Sequence, residues 1–264
     1  MRIRRSGPHL EIHMTLTRPP VTRSAWVRLA AALAVTPPLR LAALRHAVPP
    51  ETPCRSGCAA CGTPIGLDRP VPALTPAARC PHCRARVGPP PGSVEAAVLA
   101  ALVLLGTLDL PLFALLATGW WLAWAVPLAL VDVAVHRLPD RLTWPAAAGT
   151  WLLLGAAALT NAGPGPWIRA TVCGLSLAAG FATTTVLLGR RGFGLGDAKL
   201  ALGAGALLGW FGWTAPVLGL VLAFLLSALV AGILLAARRV RWTSHLPFGP
   251  FLILGTALTL ALLG

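Results

Sequence analysis

The sequence predicts an all-α, polytopic membrane protein with about seven transmembrane helices and a small cytosolic zinc-knuckle insertion. Three observations carry that reading. The chain is 56% hydrophobic and only 11% charged, with a mean hydropathy of +0.74, too apolar for a soluble globule of ordinary composition. Its apolar residues gather into long runs after Ser93, and a polar stretch before them holds two Cys-x-x-Cys pairs. A net charge of +14 raises the question of nucleic acid. The arginines, however, are scattered between apolar runs and form no basic helix face or recognition motif, so no nucleic-acid partner is expected.

The runs are Val94–Leu108, Pro111–Val131, Thr143–Leu159, Trp167–Leu188, Ala198–Gly212, Pro216–Ala236 and Pro247–Leu263. Each approaches the ~20 residues that a helix needs to cross a bilayer, the first and fifth falling short. Alternation across the membrane gathers His136, Arg137, Arg141, Arg190, Arg191, Lys199, Arg238, Arg239 and Arg241 on one side. Arg169 alone lies near the other. The positive-inside rule makes the arginine-rich side cytoplasmic and the C-terminus outside. Tyrosine is absent, and Trp120, Trp121, Trp144, Trp167 and Trp213 stand near segment ends, as an interfacial aromatic belt requires.

Upstream, Trp26–Leu44 is either an eighth helix or an interfacial segment, and Met14 offers a second start. Residues 1–50 are accordingly a basic N-terminal segment, 51–92 a cytosolic zinc-binding region with four paired cysteines and 93–264 the membrane domain. In the zinc-binding region Cys58-x-x-Cys61 and Cys80-x-x-Cys83 are separated by 18 residues, a spacing suited to one structural, tetrahedral Zn²⁺ held by four thiolates. A cytosolic, reducing setting argues against disulfides. His82 and Cys54 are then surplus, and Cys173, inside an apolar run, reads as a small apolar residue.

Only eight acids exist, and two stand where lipid makes them costly. Asp132 follows the apolar run Ala123–Val131 directly. Asp197 follows the glycine-dense stretch Gly192-Phe193-Gly194-Leu195-Gly196 and opens the next helix but two. An ionisable group at such a position marks function by default. Both fall at the same cytosolic depth, and two neighbouring carboxylates can share a proton and a water, the requirement of aspartyl proteolysis. The glycines are expected to let the backbone bend and a substrate strand approach. The plainer reading is that each acid caps a helix. Asp140 is expected to cap or orient the helix after Pro139, and Lys199 to point away from Asp197 and snorkel to headgroups.

At these residues the sequence resembles the type IV prepilin peptidases, the GxGD aspartyl proteases that include the preflagellin peptidases. Gly194-Leu195-Gly196-Asp197-Ala198-Lys199-Leu200 is similar to their GxGDxKL signature. Asp132 with Leu138-Pro139-Asp140 resembles their first catalytic segment, and Leu246-Pro247-Phe248-Gly249-Pro250-Phe251 the opening of their last helix. The resemblance runs from about Cys58 to the C-terminus. It implies that Asp132 and Asp197 are the catalytic pair, that the protein lies in the cell (inner) membrane, and that the substrates are prepilin or pseudopilin precursors, whose basic leaders are removed at the cytosolic face while an apolar stalk stays in lipid. It also implies N-methylation of the new N-terminus by S-adenosylmethionine. There the chain departs: Pro70, Pro72 and Pro76 interrupt the short link between knuckles, and no glycine loop for a nucleotide-like cofactor is evident. Glu95 resembles the family's Pro-x-x-Glu position and equally suits a helix N-terminus. The competing reading is a non-enzymatic transporter whose Asp132 and Asp197 carry protons or cations.

Overall fold

The computed structural model describes residues 34–49, 51–67, 72–189, 193–241 and 246–263. Among the described residues the chain forms eight α-helices and no β-strand: α1 Thr36–His46, α2 Ser93–Thr107, α3 Leu112–Val135, α4 Asp140–Ala157, α5 Pro164–Leu188, α6 Leu195–Phe211, α7 Thr214–Ala236 and α8 Gly249–Leu263. Every apolar run is helical, as lipid demands of a segment that must satisfy its own backbone. The seven expected spans do not have equal reach. Leu112–Val135, Asp140–Thr160, Pro164–Leu188 and Thr214–Ala236 are long and apolar enough to cross a membrane. Helices α2 and α8 have 15 residues and α6 has 17, rises of about 22 and 26 Å against a hydrocarbon core of about 30 Å.

The short α6 lies at the centre, packed on α5, α4, α7 and α8. Its contact with α5 is close because small residues recur there. A Cβ added at Gly205 would stand 3.0 Å from the Gly174 Cα, and one at Gly209 would stand 2.9 Å from the Ala170 Cα. Small residues spaced four apart let apolar helices meet backbone to backbone, which matters where lipid supplies no hydrophobic drive. Cys173 is buried against Gly209, as its apolar reading required. Arg169 reaches from α5 to the far end of α6 and donates to the carbonyls of Gly209 and Trp210, occupying acceptors that a helix end leaves open. On the other flank α7 packs on α8, with Gly219 and Gly255 at the crossing.

One sequence expectation changes here and another is met only in part by the described residues. Trp121 does not belong to an interfacial belt: it is 1% exposed, packed beside Gly203, while Trp120, Trp144 and Trp213 are exposed. The segment Trp26–Leu44 is only partly visible, since residues 26–33 lie outside the described residues. What is described is α1, eleven residues long and so about 16 Å in rise. Its Leu41 and Leu44 pack with Ile65, Leu74, Cys80 and Val87 in the core of the knuckle lobe. Arg40, wholly buried, donates to Glu95 at 2.7 Å. Glu95 lies in the first turn of α2, so this ion pair ties the lobe to the helical bundle. Placing Leu at Gly209 should force α5 and α6 apart at a cost of roughly 1–3 kcal/mol; a lowered thermal midpoint in detergent, with the Gly232→Leu chain unchanged, is the expected result.

Candidate active site and metal cluster

Both aspartates occupy one end of the bundle, held by backbone donors. Asp132 lies one turn before the C-terminus of α3, where the apolar run leaves it buried. Its Oδ2 accepts the N–H of Gly249, 3.0 Å away, at the start of α8. The N-terminal turn of a helix carries unpaired N–H groups and a partial positive charge, so it is a natural seat for a carboxylate. A Cβ at position 249 would stand 2.7 Å from that carboxylate oxygen, so any larger residue there displaces the Asp132 side chain. Asp197 sits in the first turn of α6 and accepts the N–H of Gly194 at 3.1 Å. It therefore caps its own helix, as the plainer reading held, and it also faces the cavity that Asp132 lines.

That cavity, of about 530 Å³, is lined by both carboxylates together with His136, Phe193, Phe224 and Ser227. Each carboxylate engages one backbone N–H, and both line the same cavity. The glycine stretch works differently from expectation. Gly194 has an extended backbone with φ −73°, and Gly196 is helical; neither needs a left-handed conformation. Gly196 is small because Leu138 lies against it, 2.9 Å from where a Cβ would project. The Leu138-Pro139-Asp140 turn and the glycine stretch thus form one packed unit, with the Leu246–Phe251 segment closing it through Gly249. Gly192, Arg190 and Arg191 lie outside the described residues.

The acids and bases around the pair also sort themselves. Asp140 makes no cap to its own helix; its carboxylate accepts from Lys199 at 2.6 Å. Lys199 lies 5.8 Å from the centre of the Trp144 ring. The expected snorkelling of Lys199 is thereby replaced by a bridge between the starts of α4 and α6. Sequence reasoning misses His136 and Ser227 as site residues. Ser227 carries a signal, being the lone hydroxyl between Pro216 and Ala236; His136 reads in sequence only as a loop charge.

The sulfurs of Cys58, Cys61, Cys80 and Cys83 lie within 4.8 Å of one another. Cys54 and His82 are not among them. Zinc bound tetrahedrally at ~2.3 Å from each sulfur places the sulfurs about 3.8 Å apart. The Cys58–Cys83 and Cys61–Cys80 separations are 3.7 and 3.6 Å, so the residues fit such an ion. The two knuckles share one local geometry. Cys58 donates its N–H to Thr63 and accepts from Gly62; Cys80 donates to Ala85 and accepts from Arg84. Sulfurs this crowded cannot all become thiolates without a cation. The hydroxyl and N–H of Thr63 hold the Cys61 thiol down to about 6. Cys83, despite the Ala85 N–H, is pushed up to about 12, chiefly by the Cys61 sulfur.

Residues 116–236 match the type IV leader peptidase family. The proteins named prepilin leader peptidase/N-methyltransferase of Pseudomonas putida and Aeromonas hydrophila are 34% and 31% identical over 212 and 208 residues, which is 75% of this chain and 68% of each relative. The chain belongs to the type IV leader peptidase family. Burkholderia pseudomallei (strain 1026b) has a protein of the same name, 34% identical over 221 residues; the match covers 78% of this chain and 66% of that relative, just under two thirds of its length. No solved structure gives a significant match.

Arg84 occupies, at φ 57°, the left-handed position that Gly62 holds at φ 72° in the other knuckle. Arg84→Gly should therefore relieve about 1 kcal/mol of backbone strain. Slower amide exchange across residues 80–87 would show it; unchanged exchange would count against the equivalence of the knuckles.

Proposed function

We propose that this protein is a membrane-embedded aspartyl endopeptidase that removes the basic leader from prepilin or pseudopilin-like precursors at the cytosolic face of the cell membrane. The observation that carries the reading is the meeting of Asp132 and Asp197, from separate helices, on one cavity at the end of the bundle that also gathers Arg137, Arg141 and Lys199. Family membership and the names of the relatives supply the substrate class.

In this reading the pair shares one proton and holds a water between its members. One carboxylate takes a proton from the water as its oxygen attacks the scissile carbonyl carbon; the other, protonated, donates toward the carbonyl oxygen. The tetrahedral intermediate collapses as the leaving nitrogen is protonated, the C–N bond breaks, and an acid and an amine result. The Gly249 and Gly194 N–H groups fix one oxygen of each carboxylate, which holds the pair in register without a third side chain. Residues 93–264 are read as the protease domain. Residues 51–92, with α1 against them, form the metal module, in which Cys58, Cys61, Cys80 and Cys83 hold a structural zinc. When bound, that ion supplies a cross-link between knuckles and no reaction step.

Co-expression with a prepilin tests the reading directly. Asp132→Asn and Asp197→Asn should each abolish leader removal, a loss of at least about a thousandfold, and Gly249→Ala should slow it by displacing Asp132; uncleaved precursor is read by mass. If either Asn variant still processes at the normal rate, aspartyl proteolysis by this pair is wrong. The same mass reports the second activity in the relatives' names, as a single added methyl on the new N-terminus. For the metal, the purified chain should contain one zinc per molecule by elemental analysis, and Cys58→Ser or Cys80→Ser should remove it.

A further inference from the structure

A second cavity, of about 230 Å³, runs along the bundle wall between α5 and α7. Helix α5 packs on α6 and α7 packs on α8, which leaves a seam between α5 and α7 facing the membrane. Leu177, Gly180, Phe181 and Thr184 line one side of it, and Leu220 and Phe224 the other. On α5 these residues are spaced i, i+3, i+4, i+7, a single face of a helix. On α7 the stripe Leu220, Phe224 continues one turn further to Ser227, which lines the aspartate cavity. Phe193 and Phe224 line both cavities, so the apolar seam and the carboxylate site are continuous. Their junction is an aromatic cluster: the Phe193 ring lies 4.8 Å from both Phe181 and Phe248, and Phe224 lies 5.1 Å from Phe248.

We propose that this seam receives the apolar segment of the precursor, and that the cluster of Phe181, Phe193, Phe224 and Phe248 delivers the bond at its end to Asp132 and Asp197. The inference rests on the proteolytic reading. The occupant follows from chemistry: the seam is apolar and open to lipid, it ends at two carboxylates, and the leader side of the bond is basic. From Leu220 to Ser227 the stripe rises about 10 Å, so roughly two turns of a substrate helix lie in the seam. Gly180 keeps it open, since a Cβ at that position meets nothing within 4 Å. The second apolar groove, lined by Trp151, Thr171 and Leu202, shares no residue with the aspartate cavity.

The test compares two substrates of the full chain in liposomes: an intact prepilin, and a short peptide spanning its leader and cleavage site without the apolar segment. Gly180→Leu should lower the kcat/KM ratio of prepilin to peptide by about tenfold or more, the effect of losing one well-packed contact region. Gly232→Leu, on the exposed side of α7 with open space around it, should leave the ratio alone. In a second arm, benzoylphenylalanine in place of Leu220, in a chain also carrying Asp132→Asn, should form an adduct with the prepilin's apolar segment. An unchanged ratio for Gly180→Leu overturns the proposal, as does adduct formation from position 202 and not from 220. Continued cleavage by the Asp132→Asn chain would instead overturn the proteolytic reading, and the adducts would still report where the apolar segment lies.

Discussion

A carboxylate at the end of an apolar bundle has to be given a donor, and here the donors are helix N-termini. Asp132 projects from the end of α3 onto the first N–H of α8, and Asp197 onto the N–H that precedes α6. These two hydrogen bonds dictate much of the rest. The first draws the start of α8 against the end of α3, and Leu138, just after α3, packs on Gly196 at the start of α6, so that a Cβ at position 196 would meet Leu138 and one at 249 would meet the Asp132 carboxylate. Gly249 is thus a consequence of the Asp132 carboxylate's need to be satisfied and Gly196 of the packing of Leu138, more than of any need for a flexible backbone.

The Asp140–Lys199 bridge belongs to the same construction. Both residues are partly or wholly exposed, so the bridge contributes at most about 1 kcal/mol to stability. Its place is more informative than its strength. It joins the helix that follows the Asp132 segment to the helix that carries Asp197, on the side away from the cavity, and so constrains the separation of the two elements without adding a charge to the site.

Much of this was legible in the sequence because lipid simplifies the code. Long apolar runs can only be helices, and each run's limits lie close to the observed ends. The four paired cysteines were legible for a similar reason, since a tetrahedral ion leaves few usable spacings. What could not be read was reach and company. Run length did not show that α6 is enclosed by its neighbours, and grouping Trp121 with the segment-end tryptophans, although it lies ten residues into α3, hid a core residue. Lys199 was assigned by its distance from Asp197 along one helix, whereas its partner Asp140 is 59 residues away in sequence. The buried Arg40–Glu95 pair was invisible for the same reason: neither residue, alone, signals the other.

On the proposed reading, the shortness of α6 bears on where hydrolysis would take place. Helix α6, of 17 residues, falls about 12 Å short in rise of α5, of 25, against which it packs. The ends of this pair therefore cannot both be level. In the proposed reading, a step at the Asp197 end would let water arrive from the aqueous phase without any lipid being displaced. The scissile bond would then need no removal from the membrane; the aqueous phase would be brought down to it.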